Sequence, residues 1–168
     1  MAVKNTILLL EDNAKMNRHI KELLEERPEL SDNFNIETVH RIDLAREYFD
    51  KHKDEIRCII TDLNMNDEWL DDDWLKETNG GMFSGWVWLQ HCVYTRDPIC
   101  KDSPDYNGIP NMPTIICSGY INLLEAELKK NEKISELKKQ NIHLVPKGAG
   151  YETGFSELFK QLKITLGV

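Results

Sequence analysis

Five short apolar runs of strand length recur along the chain, and polar residues follow each of them. The first, Ile7–Leu10, is continuously apolar and ends at Glu11, which is typical of a strand buried on both faces. The remaining runs are Phe34 to about Val39, Arg57–Thr61, Thr114–Cys117 and Ile142–Val145. We therefore predict five β-strands.

Between these strands, apolar residues recur every three or four positions, as they do on the buried side of an amphipathic helix. Asn13 stands where its side chain can cap the first helix, and Pro28 ends that helix. The five predicted helices carry these apolar residues: Met16, Ile20, Leu23 and Leu24; Ile42, Leu44, Ala45, Tyr48 and Phe49; Trp86, Leu89 and Val93; Leu123, Leu124, Ala126, Leu128, Ile134 and Leu137; and Phe155, Leu158, Phe159, Leu162 and Leu166.

Strands that alternate with helices predict a parallel sheet, because parallel neighbours need crossover connections and these are right-handed. The predicted fold class is α/β, with a five-stranded parallel sheet in the flavodoxin-like order 2-1-3-4-5 and helices on both faces, a (βα)5 arrangement. Ligands of such sheets bind beyond the carboxyl ends of the strands, where the strand order reverses. We expect the chemistry of this protein at those ends.

Two stretches interrupt the alternation. Periodicity is lost over residues 66–84, and we expect a surface insertion there. Its charged residues are six acidic ones and the single base Lys76: Asp67, Glu68, Asp71, Asp72, Asp73 and Glu77. Residues 96–113 predict a long loop, because they contain Pro98, Pro104, Pro110 and Pro113.

The tryptophans cluster in or beside the acidic insertion at 66–84, at Trp69, Trp74, Trp86 and Trp88. Aromatic residues among acidic ones suggest a docking surface for a basic partner. They are also typical of an insertion that folds back over the third helix. The sequence leaves both readings open.

Composition limits the class of protein. The chain has 168 residues, a length that fits a single domain over 1–168. Its formal net charge is −8. It has neither an apolar run of the roughly 20 residues that a membrane helix needs nor a signal peptide, so we expect a cytoplasmic protein without membrane contact. So acidic a domain predicts no direct binding of nucleic acid and favours cations and basic protein surfaces as partners.

Cys58 and Cys117 lie in apolar runs and are predicted to be reduced core residues.

Polar side chains stand at the ends of four predicted strands. Glu11 and Asp12 follow the first strand, Asp62 ends the third, and Ser118 and Lys147 follow the fourth and fifth. Strands one and three are neighbours in the expected order, so three carboxylates should meet in one small volume, where they repel one another unless a cation neutralises them. Hard oxygen ligands of this kind suit Mg²⁺. Together with an ammonium and a hydroxyl, the set is typical of a phosphoryl-transfer site.

Four segments in this order resemble the receiver domain of two-component response regulators: Leu8–Asn13, Asp62–Met65, Ser118–Gly119 and Lys147. The resemblance spans nearly the whole chain. It implies a phosphoprotein of a two-component system or phosphorelay, a switch that catalyses its own phosphorylation and dephosphorylation. It also implies that a sensor histidine kinase, a phosphotransfer protein or a small phosphodonor supplies the phosphoryl group.

The resemblance implies a role for each site residue. Asp62 accepts the phosphoryl group, Lys147 pairs with its oxygens, and Ser118 moves to hydrogen-bond them after transfer. For Mg²⁺, Asp12 is a direct ligand together with Asp62, Glu11 binds through water, and Asn64 binds through its backbone carbonyl. Metal and lysine together neutralise charge in the transition state.

The chain departs from the family pattern in the loop after the phosphoacceptor and around the lysine. Asn66 replaces a proline, and the glycine expected near the start of helix three, Gly85, follows about fifteen extra residues. Leu144 replaces an aromatic switch residue, and Pro146 precedes Lys147 where the family has a proline after it.

These departures leave a second hypothesis open, an interaction scaffold that keeps the receiver fold without switching. A metal-dependent phosphohydrolase is a weaker third, because Asn64 stands where its second acid is expected. Only 21 residues follow Lys147, so we expect the signal to leave through a downstream protein target, or the chain to be a fragment. Homodimer formation is left open.

Overall fold

A five-stranded parallel sheet forms the centre of the protein. The computed structural model describes residues 5–66, 68, 70, 72–94, 109, 111–130, 141–147 and 155–168. The strands are β1 Asn5–Leu10, β2 Phe34–Val39, β3 Ile56–Thr61, β4 Thr114–Ser118 and β5 Ile142–Pro146. They pair in the order β2-β1-β3-β4-β5, and every pair is parallel. This is the predicted flavodoxin-like order, and each strand lies within about two residues of its predicted place.

The described residues contain seven helices, and five of them lie where the apolar spacing predicts a helix. They are α1 Ala14–Glu25, α2 Pro28–Ser31, α3 Ile42–His52, α4 Asp72–Leu75, α5 Ser84–Trp88 with a π-helical continuation Leu89–Tyr94, α6 Ile121–Lys130 and α7 Ser156–Leu166. The side chain of Asn13 caps α1 and accepts hydrogen bonds from the backbone N–H groups of Lys15 and Met16. Pro28 not only follows the end of α1 but also starts α2, where its missing N–H costs no hydrogen bond.

Helices cover both faces of the sheet, and the alternation of strand side chains divides the core in two. On one face, Ile7 and Leu9 of β1 join a cluster with residues of α1 and α7. On the other face, Leu8 and Leu10 join a cluster with residues of α3, α5 and α6. Because the side chains on both faces of β1 pack against apolar neighbours, the continuous apolar run of β1 is explained.

Cys58 and Cys117 lie in the core, as their apolar neighbours predict. Both are fully buried in the cluster beneath α1 and α7 and are free thiols. Burial raises the pKa of each thiol to about 12, so both stay protonated at neutral pH.

The acidic insertion is not simply a surface segment. A single helical turn, α4, forms within it, and Trp74 of that turn is only 2% exposed. Leu70 and Phe83 are buried in the same apolar cluster. The ring of Trp74 stacks on the ring of His91, with centroids 4.9 Å apart and an angle of 10° between the planes. Around Trp74, therefore, the insertion folds back over α5 and its π-helical continuation.

The other tryptophans differ in their surroundings. Trp88 is fully buried, Trp86 is half-buried, and Trp69 lies outside the described residues. Leu89 and Val93 are buried as predicted, but the π-helical turn also turns Cys92 and Tyr94 inward.

Parts of two predictions lie outside the described residues. They are most of the proline-rich loop at 96–113, and the later positions Ile134 and Leu137 of the fourth helix. Ile109 and Met112 of that loop are described, and the backbone N–H of Ile109 donates to the carbonyl of Val93 at 2.7 Å. In the described part of the chain, no helix combines the length and apolar character that a bilayer span requires.

We expect Trp74→Ala to destabilise the protein by about 3–5 kcal/mol, because it empties a fully enclosed aromatic site in the core. Leu123→Ala is the control, since Leu123 is 47% exposed and its truncation should cost less than about 0.5 kcal/mol. Urea unfolding followed by far-ultraviolet circular dichroism measures both. Equal midpoints for the two variants would show that the insertion is no part of the core.

Candidate functional site

Three charged side chains from distant parts of the chain meet at the carboxyl ends of β1, β3 and β5. The Lys147 ammonium donates to Glu11 Oε2 at 2.7 Å and, in a close contact, to Asp62 Oδ2. The three side chains are only 18%, 4% and 12% exposed, in the order Lys147, Glu11 and Asp62. The sheet thus brings a cation between two carboxylates in a largely enclosed place.

The electrostatics of this group favour a charged lysine. Burial disfavours the ammonium, but the attraction of Asp62 and Glu11 outweighs burial, so the pKa of Lys147 lies above its ordinary value. Burial also raises the pKa of Glu11, and Lys147 only partly offsets this. Lys147 is therefore a fixed positive charge at neutral pH.

The Asp62 carboxylate is held through one oxygen by the loop that follows it. Its Oδ1 accepts hydrogen bonds from the backbone N–H of Leu63 at 2.6 Å and of Asn64 at 3.3 Å. Its Oδ2 faces Lys147. Backbone donors and the ammonium together orient this carboxylate.

Glu11 is fixed by a residue that the sequence pattern alone did not single out. Asn17, on the buried side of α1, donates from Nδ2 to the carbonyl of Glu11 at 3.0 Å and to the carbonyl of Val39 at 3.2 Å. It thereby ties together the ends of β1 and β2. In the sequence, Asn17 is recognisable only as an amide residue beside the apolar positions Met16 and Ile20.

Asp12 is half-buried, and in the described part of the chain its side chain takes no part in the contacts of Lys147. Among the described residues, no three Asp, Glu, His or Cys side chains form a group that could hold a metal ion. The contacts of Lys147 thus join two of the three expected carboxylates, Glu11 and Asp62, and the meeting of all three stays a prediction.

The donor set nonetheless fits Mg²⁺, which keeps several waters and takes only one or two carboxylates plus phosphate oxygens. Glu11 and Asp62 supply two carboxylates, and the loop carbonyl of Asn64 and the half-buried Asp12 stand next to them in sequence. The acidic side chains here are Glu11, Asp12 and Asp62. The single positive charge of Lys147 does not balance all three, so a divalent cation can balance the remaining negative charge.

Ser118 is the last residue of β4 and is fully buried. Its hydroxyl accepts from the backbone N–H of Tyr120 at 3.3 Å, and among the described residues it makes no hydrogen bond to Asp62. Its carbonyl accepts from the backbone N–H of Lys147 at 3.1 Å. Ser118 is therefore tied to the lysine through the backbone, not to the aspartate.

Gly85 lies directly behind Asp62. A Cβ atom at Gly85 would stand 2.0 Å from the backbone oxygen of Asp62, a distance that no side chain can occupy. The Gly85 N–H also donates to the carbonyl of Leu63 at 2.9 Å. The glycine expected from the sequence is thus present after the insertion, and close backbone approach is the reason that it is needed.

We expect Gly85→Ala to destabilise the protein by about 1–3 kcal/mol and to shift the backbone at Asp62, because the new methyl group overlaps its carbonyl. Gly119→Ala is the matched control beside the same site. A methyl group added at Gly119 would meet nothing within 4 Å and should change stability by less than about 1 kcal/mol. Thermal unfolding and the amide resonances of residues 62–65 measure both effects, and equal behaviour would contradict the close approach.

No protein-family model matches the chain, and the search of curated proteins found no significant match. Solved structures do resemble it. A response regulator receiver domain protein from Clostridium thermocellum aligns over 97% of this chain and 91% of its own, with a TM-score of 0.54 and 20% identity. The non-phosphorylated HemR receiver domain from Leptospira biflexa aligns over 98% and 96%, with a TM-score of 0.56 and 18% identity. This chain has the fold of response regulator receiver domains.

Proposed function

We propose that this chain is a phosphoaccepting receiver domain that takes a phosphoryl group on Asp62. The single observation that supports this best is the Lys147 ammonium between Glu11 and Asp62, at the strand ends where such a fold binds its ligands. A buried ion pair is weak evidence of a stabilising role, because desolvation offsets its attraction. A chemical role explains the arrangement better.

In the proposed reaction, a carboxylate oxygen of Asp62 attacks the phosphorus of a phosphohistidine. The bond between phosphorus and the imidazole nitrogen breaks, its electron pair stays on that nitrogen, and the imidazole takes up a proton. The product is an aspartyl phosphate. Lys147 acts by pairing with the phosphoryl oxygens, where its fixed charge offsets negative charge in the transition state. Ser118 is proposed to reorient its hydroxyl toward those oxygens after transfer.

The residues proposed to hold Mg²⁺ are Asp12, Asp62, the backbone carbonyl of Asn64 and, through water, Glu11. When bound, the ion supplies further positive charge against the phosphoryl oxygens. The protein's own residues orient Asp62 by the Leu63 and Asn64 N–H groups and hold Glu11 in place through Asn17.

We further propose a sensor histidine kinase or phosphotransfer protein as the donor and a downstream protein as the target, with the reaction in the cytoplasm. The domain organisation proposed is a single receiver domain over 1–168. The net charge of −8 favours basic protein surfaces over nucleic acid as partners. A homodimer is one form that such a protein contact can take.

A receiver-fold scaffold that does not switch is the second candidate. The observation that favours it is Leu144, which is half-buried and packs against the core cluster beneath α3 and α6. A leucine packed there offers no rotating aromatic ring to report movement of the Ser118 hydroxyl.

We expect acetyl phosphate with Mg²⁺ to add one phosphoryl group to the protein, and Asp62→Asn or removal of Mg²⁺ by a chelator to abolish the adduct. Intact-protein mass spectrometry measures it. Asp73→Asn is the matched control, because Asp73 is exposed in the insertion and should leave the adduct unchanged. An adduct that survives in Asp62→Asn would place the acceptor elsewhere, and no adduct with any donor would favour the scaffold.

We also expect Lys147→Met to slow phosphorylation by about 100-fold, because the phosphoryl oxygens lose their fixed positive charge. Lys76→Met, in the exposed part of the insertion, should not change the rate. Time courses with acetyl phosphate measure both, and circular dichroism verifies that each variant is folded. An unchanged rate in folded Lys147→Met would remove this lysine from the proposed reaction.

A further inference from the structure

A buried serine at the end of the insertion is bonded to the loop that follows Asp62. Ser84 is the first residue of α5 and is fully buried. Its Oγ accepts from the backbone N–H of Met65 at 2.8 Å and donates to the carbonyl of Met65 at 2.6 Å. The carbonyl of Leu63 is a second acceptor within reach, at 3.3 Å. One hydroxyl therefore contacts the residues on both sides of Asn64.

These contacts determine how two successive peptide groups are turned. A trans peptide is planar, so its C=O and N–H point in opposite directions, and no described peptide bond is cis. In the peptide between Leu63 and Asn64, the N–H points to the Asp62 carboxylate and the C=O points to Ser84 and Gly85. The side of the loop that faces Asp62 is thus opposite to the side that faces Ser84.

The next peptide group, between Asn64 and Met65, is turned the other way. Its N–H donates to Ser84 Oγ, so its C=O, which belongs to Asn64, points away from Ser84. That is the side on which the Asp62 carboxylate lies. If the Met65 N–H lost its acceptor, this peptide would be free to rotate, and the direction of the Asn64 carbonyl would no longer be determined.

We propose that Ser84 is a positioning residue that aims the backbone carbonyl of Asn64 at the divalent cation beside Asp62. The inference rests on the proposed function, since it concerns the same cation site. The inference also gives the insertion at 66–84 a role. Its last residue, Ser84, lies about twenty positions after Asn64 and supplies the hydroxyl that orients this ligand.

The insertion holds Ser84 in place by hydrogen bonds of its own. The hydroxyl of Thr78 donates to the carbonyl of Leu75 at 2.8 Å and accepts from the N–H of Gly81 at 3.0 Å. The N–H of Phe83 donates to the carbonyl of Thr78 at 2.9 Å, and that of Ser84 to the carbonyl of Gly81 at 3.3 Å. Thr78 is as buried as Ser84, but these bonds remain within the insertion.

The test compares Ser84→Ala with Thr78→Val, two variants that each remove one buried hydroxyl from the insertion. Calorimetric titration with MgCl₂ measures the affinity of the full chain for Mg²⁺. We expect Ser84→Ala to weaken Mg²⁺ binding by about 10-fold or more, as loss of a residue that orients a ligand does, and Thr78→Val to stay within about twofold of the unaltered chain. Equal affinity for Ser84→Ala and the unaltered chain would overturn the proposal, and so would equal losses in both variants.

A measurement on the unaltered chain keeps the proposal testable if Ser84→Ala does not fold. Mn²⁺ broadens the carbonyl carbon resonances that lie nearest to it. We expect the Asn64 carbonyl to broaden strongly, and the carbonyls of Leu63 and Met65, which face Ser84, to broaden less. Equal broadening of the three would overturn the role of Ser84 while leaving the cation site intact. A chain that binds neither Mg²⁺ nor Mn²⁺ and accepts no phosphoryl group would instead overturn the proposed function itself.

Discussion

The contact of the Lys147 ammonium with Glu11 and Asp62 is the interaction on which the rest of the site depends. Two carboxylates cannot share an enclosed volume without a compensating cation, because desolvation and mutual repulsion both oppose their charges. The parallel sheet makes the contact geometrically available, since it brings the carboxyl ends of β1, β3 and β5 to one edge. The fold and the charge balance thus impose the same arrangement.

Residues outside the sheet also hold the backbone around Glu11 and Asp62 in place. Asn17 fixes the end of β1, while Gly85 and Ser84 contact the backbone from Asp62 to Met65. Ser84 and Gly85 are the first two residues of α5, where the insertion ends. Because Trp74 anchors the insertion in the core, the loop of Asp62 rests on a packed surface and not on a free connection.

The strands and most helices were predictable, because apolar runs and apolar spacing report which side chains must leave water. The single turn of α4 was not, since four residues are too few to show a period. The buried Trp74 stacks on His91, a partner seventeen positions away that no local pattern indicates. Asp62 and Lys147 were predicted to lie together because the topology alone brings the carboxyl ends of their strands to one side of the sheet.

By itself, the sequence determined the α/β fold, the order of elements and the edge of the sheet where charged residues collect. It did so because periodicity and strand-end position are local properties of the chain. Only the tertiary structure decided that Lys147 stands between two carboxylates, that Gly85 must lack a side chain, and that Ser84 faces the loop around Asn64. Those are contacts between segments far apart in sequence, and their geometry exists only once the sheet and its helices have packed.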